Sequence, residues 1–493
     1  MQANFNKPWI GGSDVHDRQR MLGQYNCGLV RRTQHQCISR PSIIGGFWLL
    51  LVLVATTWCS SPAFAQIPRI QGQGAAASGM GNAFAAQADN PSALHYNPAG
   101  MTQLRGVQIM AGGLLVGGPL DHRSPSGTTT AGDHDGVVAW PPPAHTYVTA
   151  NLQGLGIPLL DKLTVGVGVT TPFGSATRWP STSPFSATTI FSALPLFDIK
   201  PTFAYQLLPD LSIGAGIDIY TFSSLFGEGH AEFQRILPPG NRVEVNGKDT
   251  ALGFNIGTLY TALRNADGLP IMNVAVVYRS QATLHLDGVQ LANGVKVQDT
   301  TTTLVLPQVI TGGIAVWPVR NAEREWKLEL NVDYIGWKSV RNLDLRRRDG
   351  TVILEQPQNW KSTYAILVGT EYRWLKMDRL PGWEVAVRGG YSNLQTQVPD
   401  STYNPAIPSA DLHIISTGVG FVCKGNGSLF GFVACGNLGI GSIKAKTIGV
   451  DLSYQVSLYE PRTVEGNTGI RVGVNGFYEN TAHAGGLSIR VGF

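Results

Sequence analysis

The groups in this chain able to do chemistry are few and scattered. Arg178 stands in a segment, 173–197, that otherwise carries Phe173, Trp179, Phe185, Ile190, Phe191, Leu194, Leu196 and Phe197. Connections bathed in water rarely concentrate so many large apolar groups. The segment reads either as a surface that captures an apolar molecule, with Arg178 placed for an acidic head group, or as rings that pack onto the protein's own interior. Lys200, Arg279, Lys327, Arg373 and Arg388 occupy positions that allow an inward direction, as do Glu329, Asp333, Glu371, Glu384 and Asp451. Most of these cations then read as ion-paired lining. Arg279 and Arg388 join Phe173, Arg178, Trp179, Phe185 and Phe191 as candidate ligand contacts.

No arrangement of residues points to catalysis. Gly79-Met80-Gly81 begins like a dinucleotide-binding loop, but Phe84 stands where the third glycine is needed and no strand precedes it. His413 and Ser416 are close in sequence but of opposite parity, which puts them on different faces of a strand. There is no phosphate-binding loop, zinc-protease helix motif or CxxC. The expectation is no enzyme, no metal and no cofactor. Cys423 and Cys435, separated by a Gly/Asn/Ser-containing stretch, are expected to form a disulfide; two free thiols are the alternative.

The elements that hold these residues follow from composition and period. Only 14% of residues are charged, against about 25% in an ordinary soluble protein, and 59 of 493 are glycine. Mean hydropathy is +0.01. The one long apolar run, Ile43 to Trp58, excludes a bundle of several ~20-residue membrane helices. That run follows Arg31, Arg32 and Arg40 and precedes Ala63-Phe64-Ala65, a small-x-small cleavage site before Gln66, so 1–65 reads as leader and signal peptide. Met21 offers an alternative start, and Trp58 argues against lipid attachment at Cys59. The leader takes six of the 37 basic groups (Lys7, Arg18, Arg20, Arg31, Arg32, Arg40) and two of the 33 acidic ones (Asp14, Asp17), leaving the remainder formally neutral. The sequence pI of 8.7 therefore gives no argument for a nucleic-acid partner.

From about Arg105 the chain repeats stretches of eight to thirteen residues that alternate apolar with polar or small, each ended by Gly, Pro, Asn or Asp. In 211–220, Leu211, Ile213, Ala215, Ile217 and Ile219 share one face, and Ser212, Gly214, Gly216, Asp218 and Tyr220 the other. The same alternation recurs at 163–170, 252–260, 272–280, 326–334, 364–374, 383–391, 415–421, 448–458 and 485–493. Such lengths suit tilted strands crossing a bilayer. Tyr220, Trp326, Tyr334, Tyr372, Trp374, Trp383, Tyr391, Tyr454 and Phe493 lie near strand ends, as interfacial girdles require. The expected fold is all-β, a transmembrane antiparallel β-barrel of about 14 strands over 105–493. Short turns at Pro209-Asp210 and 375–381 alternate with long outward connections at 118–144, 173–196, 225–247, 341–357, 393–410 and 460–478. The 423–443 connection is long where a short turn is expected.

Residues 66–104 do not alternate and read as a compact hatch filling the barrel. Here the chain closely resembles the FadL/TodX family of outer-membrane transporters of long-chain fatty acids and aromatic hydrocarbons. The matching stretches are Gly79-Met80-Gly81-Asn82-Ala83-Phe84, Asp89-Asn90-Pro91-Ser92-Ala93 and Tyr96-Asn97-Pro98-Ala99-Gly100-Met101, with Pro172-Phe173-Gly174, Val277-Tyr278-Arg279-Ser280 and Val332-Asp333-Tyr334 in the barrel. The resemblance implies a 14-stranded barrel, a hatch gated at Asn97, Pro98, Ala99 and Gly100, a ligand pocket inside, and a kink in the third strand that opens sideways into the membrane. The region between strands five and six, a long helical loop in fatty-acid members, looks shorter here. The expected function is passive uptake of hydrophobic small molecules, long-chain fatty acids or similar lipophiles, through the hatch-gated barrel with lateral release; an aromatic-hydrocarbon channel and a general diffusion porin are the alternatives. Expected partners are the hydrophobic ligand, outer-membrane lipid and lipopolysaccharide, and the barrel assembly machinery through Phe493, with the barrel acting as a monomer.

Overall fold

The computed structural model describes residues 69–493 apart from 154–156, 158–159, 226, 430, 432, 441–442 and 468–470. The leader and residues 66–68 of the expected hatch lie outside the described residues. Fourteen strands form one antiparallel ring: β1 Val107–Gly117, β2 Ala144–Asn151, β3 Leu163–Thr170, β4 Phe197–Leu208, β5 Leu211–Thr221, β6 Ala251–Arg264, β7 Pro270–Arg279, β8 Val309–Arg320, β9 Arg324–Ile335, β10 Thr363–Trp374, β11 Trp383–Leu394, β12 Leu412–Lys424, β13 Thr447–Tyr459 and β14 Gly476–Gly492. The ring closes where β1 pairs with β14, Gln108 opposite Gly492 and Gly117 opposite His483. Closure pairs the first strand with the last, as a sheet in lipid requires.

Burial along each strand is inverted relative to a soluble sheet. In β9, Trp326, Leu330 and Val332 are exposed while Lys327, Glu329, Asn331 and Asp333 are buried. In β5, Ile213 and Ile217 face out, and Ser212, Gly214, Gly216 and Asp218 face in. Apolar outside and polar inside is the pattern of a membrane barrel. Tyr334 meets Tyr364 at 5.6 Å and Tyr372 meets Trp374 at 4.7 Å on the outer face. Tyr220 corrects the girdle expectation: it shares the inward parity of Asp218, is buried, and packs edge-on against Phe173 at 6.2 Å.

Residues 69–104 fill the lumen. Two short helices, α1 Ala75–Ser78 and α2 Ala93–Tyr96, and a 3-10 turn at Pro98–Gln103 are almost wholly buried. Inward glycines of the wall make room for them. A Cβ at Gly257 would sit 2.2 Å from Asn97 Oδ1, one at Gly390 2.1 Å from the Met80 carbonyl carbon, and one at Gly214 2.5 Å from Pro98. Charge fixes the hatch as well: Arg373 pairs with Asp89 of the hatch at 3.1 Å and Glu371 at 2.8 Å, and Arg388 joins Glu371 at 2.6 Å to Asp451 at 2.9 Å.

The long connections lie at one end of the ring. Four of them zip into a separate eight-stranded sheet that includes the hairpins Ala231–Leu237/Asn241–Gly247 and Ala282–Ala292/Val295–Leu306. The second hairpin lies in a connection absent from the expected set of long ones. It alternates with the opposite sense, Leu284 and Leu286 buried and His285 and Asp287 exposed, as suits a sheet in water. Between β5 and β6 the chain forms a hairpin, with no helix among the described residues.

At the turn end, Cys423 and Cys435 form a disulfide with Cα atoms 6.2 Å apart, stapling the long connection between β12 and β13. Loop closure gives such a link about 3 kcal/mol. A Cys423→Ser/Cys435→Ser variant is expected to lose up to that amount in denaturant titration and to be clipped by protease within 425–446, with the barrel intact; unchanged clipping would remove the staple's role.

Candidate functional site

Three hydrogen-bonded clasps position the start of the hatch. Ile70 N donates to Pro172 O at 3.0 Å, so the chain beyond β3 turns inward and pairs with the hatch. Gln73, buried, accepts from Thr171 N at 3.1 Å and donates to Thr171 O at 3.0 Å. Its amide thus supplies the rung that β3 loses where regular pairing ends at Thr170 opposite Asp198. Arg69 forms an ion pair with Asp333 of β9. Asn97 holds the other end: its Nδ2 donates to Ala85 O at 2.8 Å and to Thr258 O of β6 at 3.0 Å, and its Oδ1 accepts from Ala99 N at 3.1 Å. Asn97 is therefore both the cap of the Pro98–Gln103 turn and a tie from hatch to wall.

Above this floor lies an apolar cavity of about 220 Å³. Its sides are Leu114 and Val116 of β1, the 139–143 segment, Phe173, Leu194, Leu196, Phe197, Leu394, Leu412, Ile414 and Ala482, and its floor is Arg69, Ile70, Gln71, Gly72 and Asn82. Gln71 is buried with no hydrogen-bond partner on either amide atom. A second cavity of about 30 Å³ lies beyond, lined by Arg69, Gln71, Asn82, His95, Arg279 and Asp333. Arg69, Gln71 and Asn82 border both and so partition them. His134 also borders the larger cavity; burial holds its imidazole below the usual value, which favours its neutral form there.

The residues singled out from sequence are dispersed. Phe173 lines the larger cavity and Arg279 the smaller one. Arg178 pairs with Asp135 and lies 4.5 Å over the Phe191 ring, away from the cavity lining. Trp179 donates through Nε1 to Pro405 O at 2.9 Å, and its ring meets Phe185 at 5.0 Å, both buried within the protein. Arg388 is committed to Glu371 and Asp451. Pro98, Ala99 and Gly100 are buried in the hatch turn. His413 bonds Tyr391 and Glu460, whereas Ser416 bonds inward-facing Gln455, which separates the two. Sequence reasoning did not single out Gln73, Arg69 or the Trp140-Pro141-Pro142-Pro143 run. The proline run was the one available signal, because three residues without N–H cannot continue a ladder.

The chain matches the family model described as outer membrane protein transport protein (OMPP1/FadL/TodX) over residues 53–432. An outer membrane protein of Neisseria meningitidis serogroup B is 31% identical over 134 residues, 26% of this chain and 28% of that protein. The match thus spans little more than a quarter of that relative's length. Among solved structures, a Pseudomonas aeruginosa FadL homologue superposes with a TM-score of 0.66 at 15% identity, over 87% of this chain and 100% of that one. The toluene transporters TodX of P. putida (TM-score 0.58, 17% identity) and TbuX of Ralstonia pickettii (0.55, 16%) each align over 86% of this chain and 99% of theirs. At such identities the likeness shows the fold alone.

Two outcomes test this geometry. Gln73→Ala orphans the Thr171 N–H and C=O at a cost of about 1–3 kcal/mol each; it is expected to lower the unfolding midpoint and to raise leak conductance in planar bilayers, and an unchanged leak would contradict the clasp. In the connection before β12, burial, with Glu460 nearby, pushes the Asp411 carboxyl up to about 7. The folded protein then holds a proton that the unfolded chain releases near 3.9. That contribution is full below about pH 4 and lost as pH rises to 7. Asp411→Asn is expected to flatten the fall of the melting midpoint across this window; an identical pH profile would refute the assignment.

Proposed function

Because this chain belongs to the OMPP1/FadL/TodX family of outer membrane transport proteins, we propose that it is a passive channel for a hydrophobic small molecule, hatch-gated, with release sideways into the membrane. The observation that carries this reading is the apolar cavity, floored by hatch residues and bordered by the place where β3 leaves the wall. An aqueous pore serves apolar cargo badly. Each exposed CH₂ costs about 0.8 kcal/mol, so a sixteen-carbon chain entering water faces on the order of 12 kcal/mol. A lateral route from cavity to lipid avoids that barrier. A plugged lumen crossed by ion pairs also disfavours a general diffusion porin.

Two cargo classes fit this route, a long-chain fatty acid and a monoaromatic hydrocarbon. The cavity's size favours the second, since an engineered apolar cavity of about 150 Å³ binds benzene and this one has a volume of about 220 Å³. Asn97, Pro98, Ala99 and Gly100 serve as hatch residues that hold the gate rather than touch cargo, and Phe173 is the aromatic contact for cargo. Outer-membrane lipid and lipopolysaccharide surround the monomeric barrel, and Phe493 is the signal offered to the assembly machinery. This reading assigns no chemistry, cofactor or metal to the chain.

Binding of radiolabelled oleate and of toluene to the purified barrel tests the proposal. Saturable toluene binding that oleate does not displace is the expected result, and the converse would make the cargo a fatty acid. Binding of neither, with steady ion conductance, would leave a porin.

A further inference from the structure

The wall of the barrel is incomplete beside the upper part of β1. Pairing of β1 with β2 runs from Val107 opposite Ala150 to Gly113 opposite Ala144 and stops. β1 continues to Gly117, still paired on its other side with β14. Where β2 would lie, the chain from Val137 to Pro143 runs as a strap, and among the described residues two backbone hydrogen bonds tie it to β1. Leu114 N donates to Pro143 O at 2.8 Å, and Ala139 N donates to Val116 O at 2.7 Å. Pro141, Pro142 and Pro143 have no N–H to give, so the ladder cannot be completed here by any small adjustment. The contrast with the nearby departure of β3 is clear, because there the hatch restores the lost bonds through Ile70 and Gln73.

The strap has two apolar sides. Ala139, Trp140 and the three prolines line the larger cavity. Outward, Val137 is 93% exposed, Trp140 68% and Val138 40%, beside Leu115 of β1 at 61% and continuous with the lipid-facing belt that Val148 carries onto β2. Connections in water do not hold three large apolar groups open to solvent without a partner, and a tryptophan at the end of a spanning strand suits the boundary between hydrocarbon and head groups. One layer of chain thus separates the cavity from lipid. The ends of the strap are fixed: Asp133 exchanges backbone bonds with Arg178 at 2.9 and 2.8 Å, and Ala144 N donates to Thr171 Oγ1 at 3.2 Å. Gly136, at φ +114°, gives the upper end a turn that other residues adopt with strain.

We infer that the 137–143 strap is the side door of the cavity, its outer face bedded in membrane lipid, and that cargo leaves by displacing it from Val116. This rests on the channel reading above and adds which element moves. Displacement breaks two backbone bonds and exposes the gap to lipid rather than water, so apolar cargo crosses without hydration. Arg178 enters the mechanism as an anchor of the strap's root.

A cysteine pair at Val116 and Ala139 tests it, both residues bordering the cavity and bonded through their backbones. Transfer of radiolabelled toluene or oleate from outside to lipid is followed in proteoliposomes, and binding is followed in detergent. Oxidising the Val116→Cys/Ala139→Cys protein is expected to cut transfer per ligand bound at least tenfold, with recovery on reduction. The unsubstituted protein is taken through the same cycle to account for Cys423–Cys435. Transfer undiminished in protein shown by mass to be cross-linked would overturn the inference. Absence of saturable binding in the reduced protein would defeat the channel reading beneath it. Independently of any cross-link, Trp140→Phe is expected to remove part of the tryptophan emission that brominated phospholipid quenches; no change in the quenched fraction would place the strap away from lipid.

Discussion

In a bilayer every backbone N–H and C=O must find its partner inside the protein, and the structure is organised around where that demand is met and where it is not. Around most of the ring it is met by strand pairing, from β1 through to β14 and back. At Thr171 it is met by a side chain of the hatch, Gln73. Beside Leu114–Gly117 it is met only in part, because the neighbouring segment contains three prolines. The weak places of the wall border the same apolar cavity. The sideways route proposed above would pass where the ladder fails.

The second demand is that a polar interior be filled without stray charge. Inward Lys, Arg, Asp and Glu meet one another and the hatch, as in Asp89–Arg373–Glu371–Arg388–Asp451. Removing one partner of such a buried set costs about 3–5 kcal/mol because the other is left uncompensated. Packing adds a steric condition. Gly214, Gly257 and Gly390 face inward where the hatch backbone touches the wall, and any Cβ there would collide with Pro98, Asn97 or Met80. Part of the glycine richness of the sequence is this seat. The hatch is accordingly held from several sides, and the strap from few.

The barrel was legible in the sequence because lipid outside and polar groups inside leave a period of two over long stretches, and residues 211–220 and 326–334 display it plainly. The hatch was legible from its failure to alternate and from its resemblance to a family. Tyr220 was misassigned to the girdle although its own parity with Asp218 already pointed inward. The hairpin 282–306 was passed over because it alternates as a sheet in water does, without a membrane to sharpen the pattern. The site was harder. An apolar connection has the same composition whether its rings take cargo or each other, and Trp179 and Phe185 chose each other. Arg178 and Arg388 have partners brought from distant sequence, Asp135, Glu371 and Asp451, which no local spacing reveals. Gln73 works through two hydrogen bonds to a residue nearly a hundred positions away, and a lone glutamine carries no motif.

The central claim is that apolar cargo occupies the cavity between the hatch and the strap. Crystals of the protein soaked with a bromine-labelled ligand, bromotoluene or 12-bromododecanoate, report this directly through the anomalous signal of bromine. The account predicts a peak enclosed by Leu114, Phe173, Leu194 and Ile414, above Gln71. Bromine found only on the outer belt, with the cavity filled by ordered water, would contradict it.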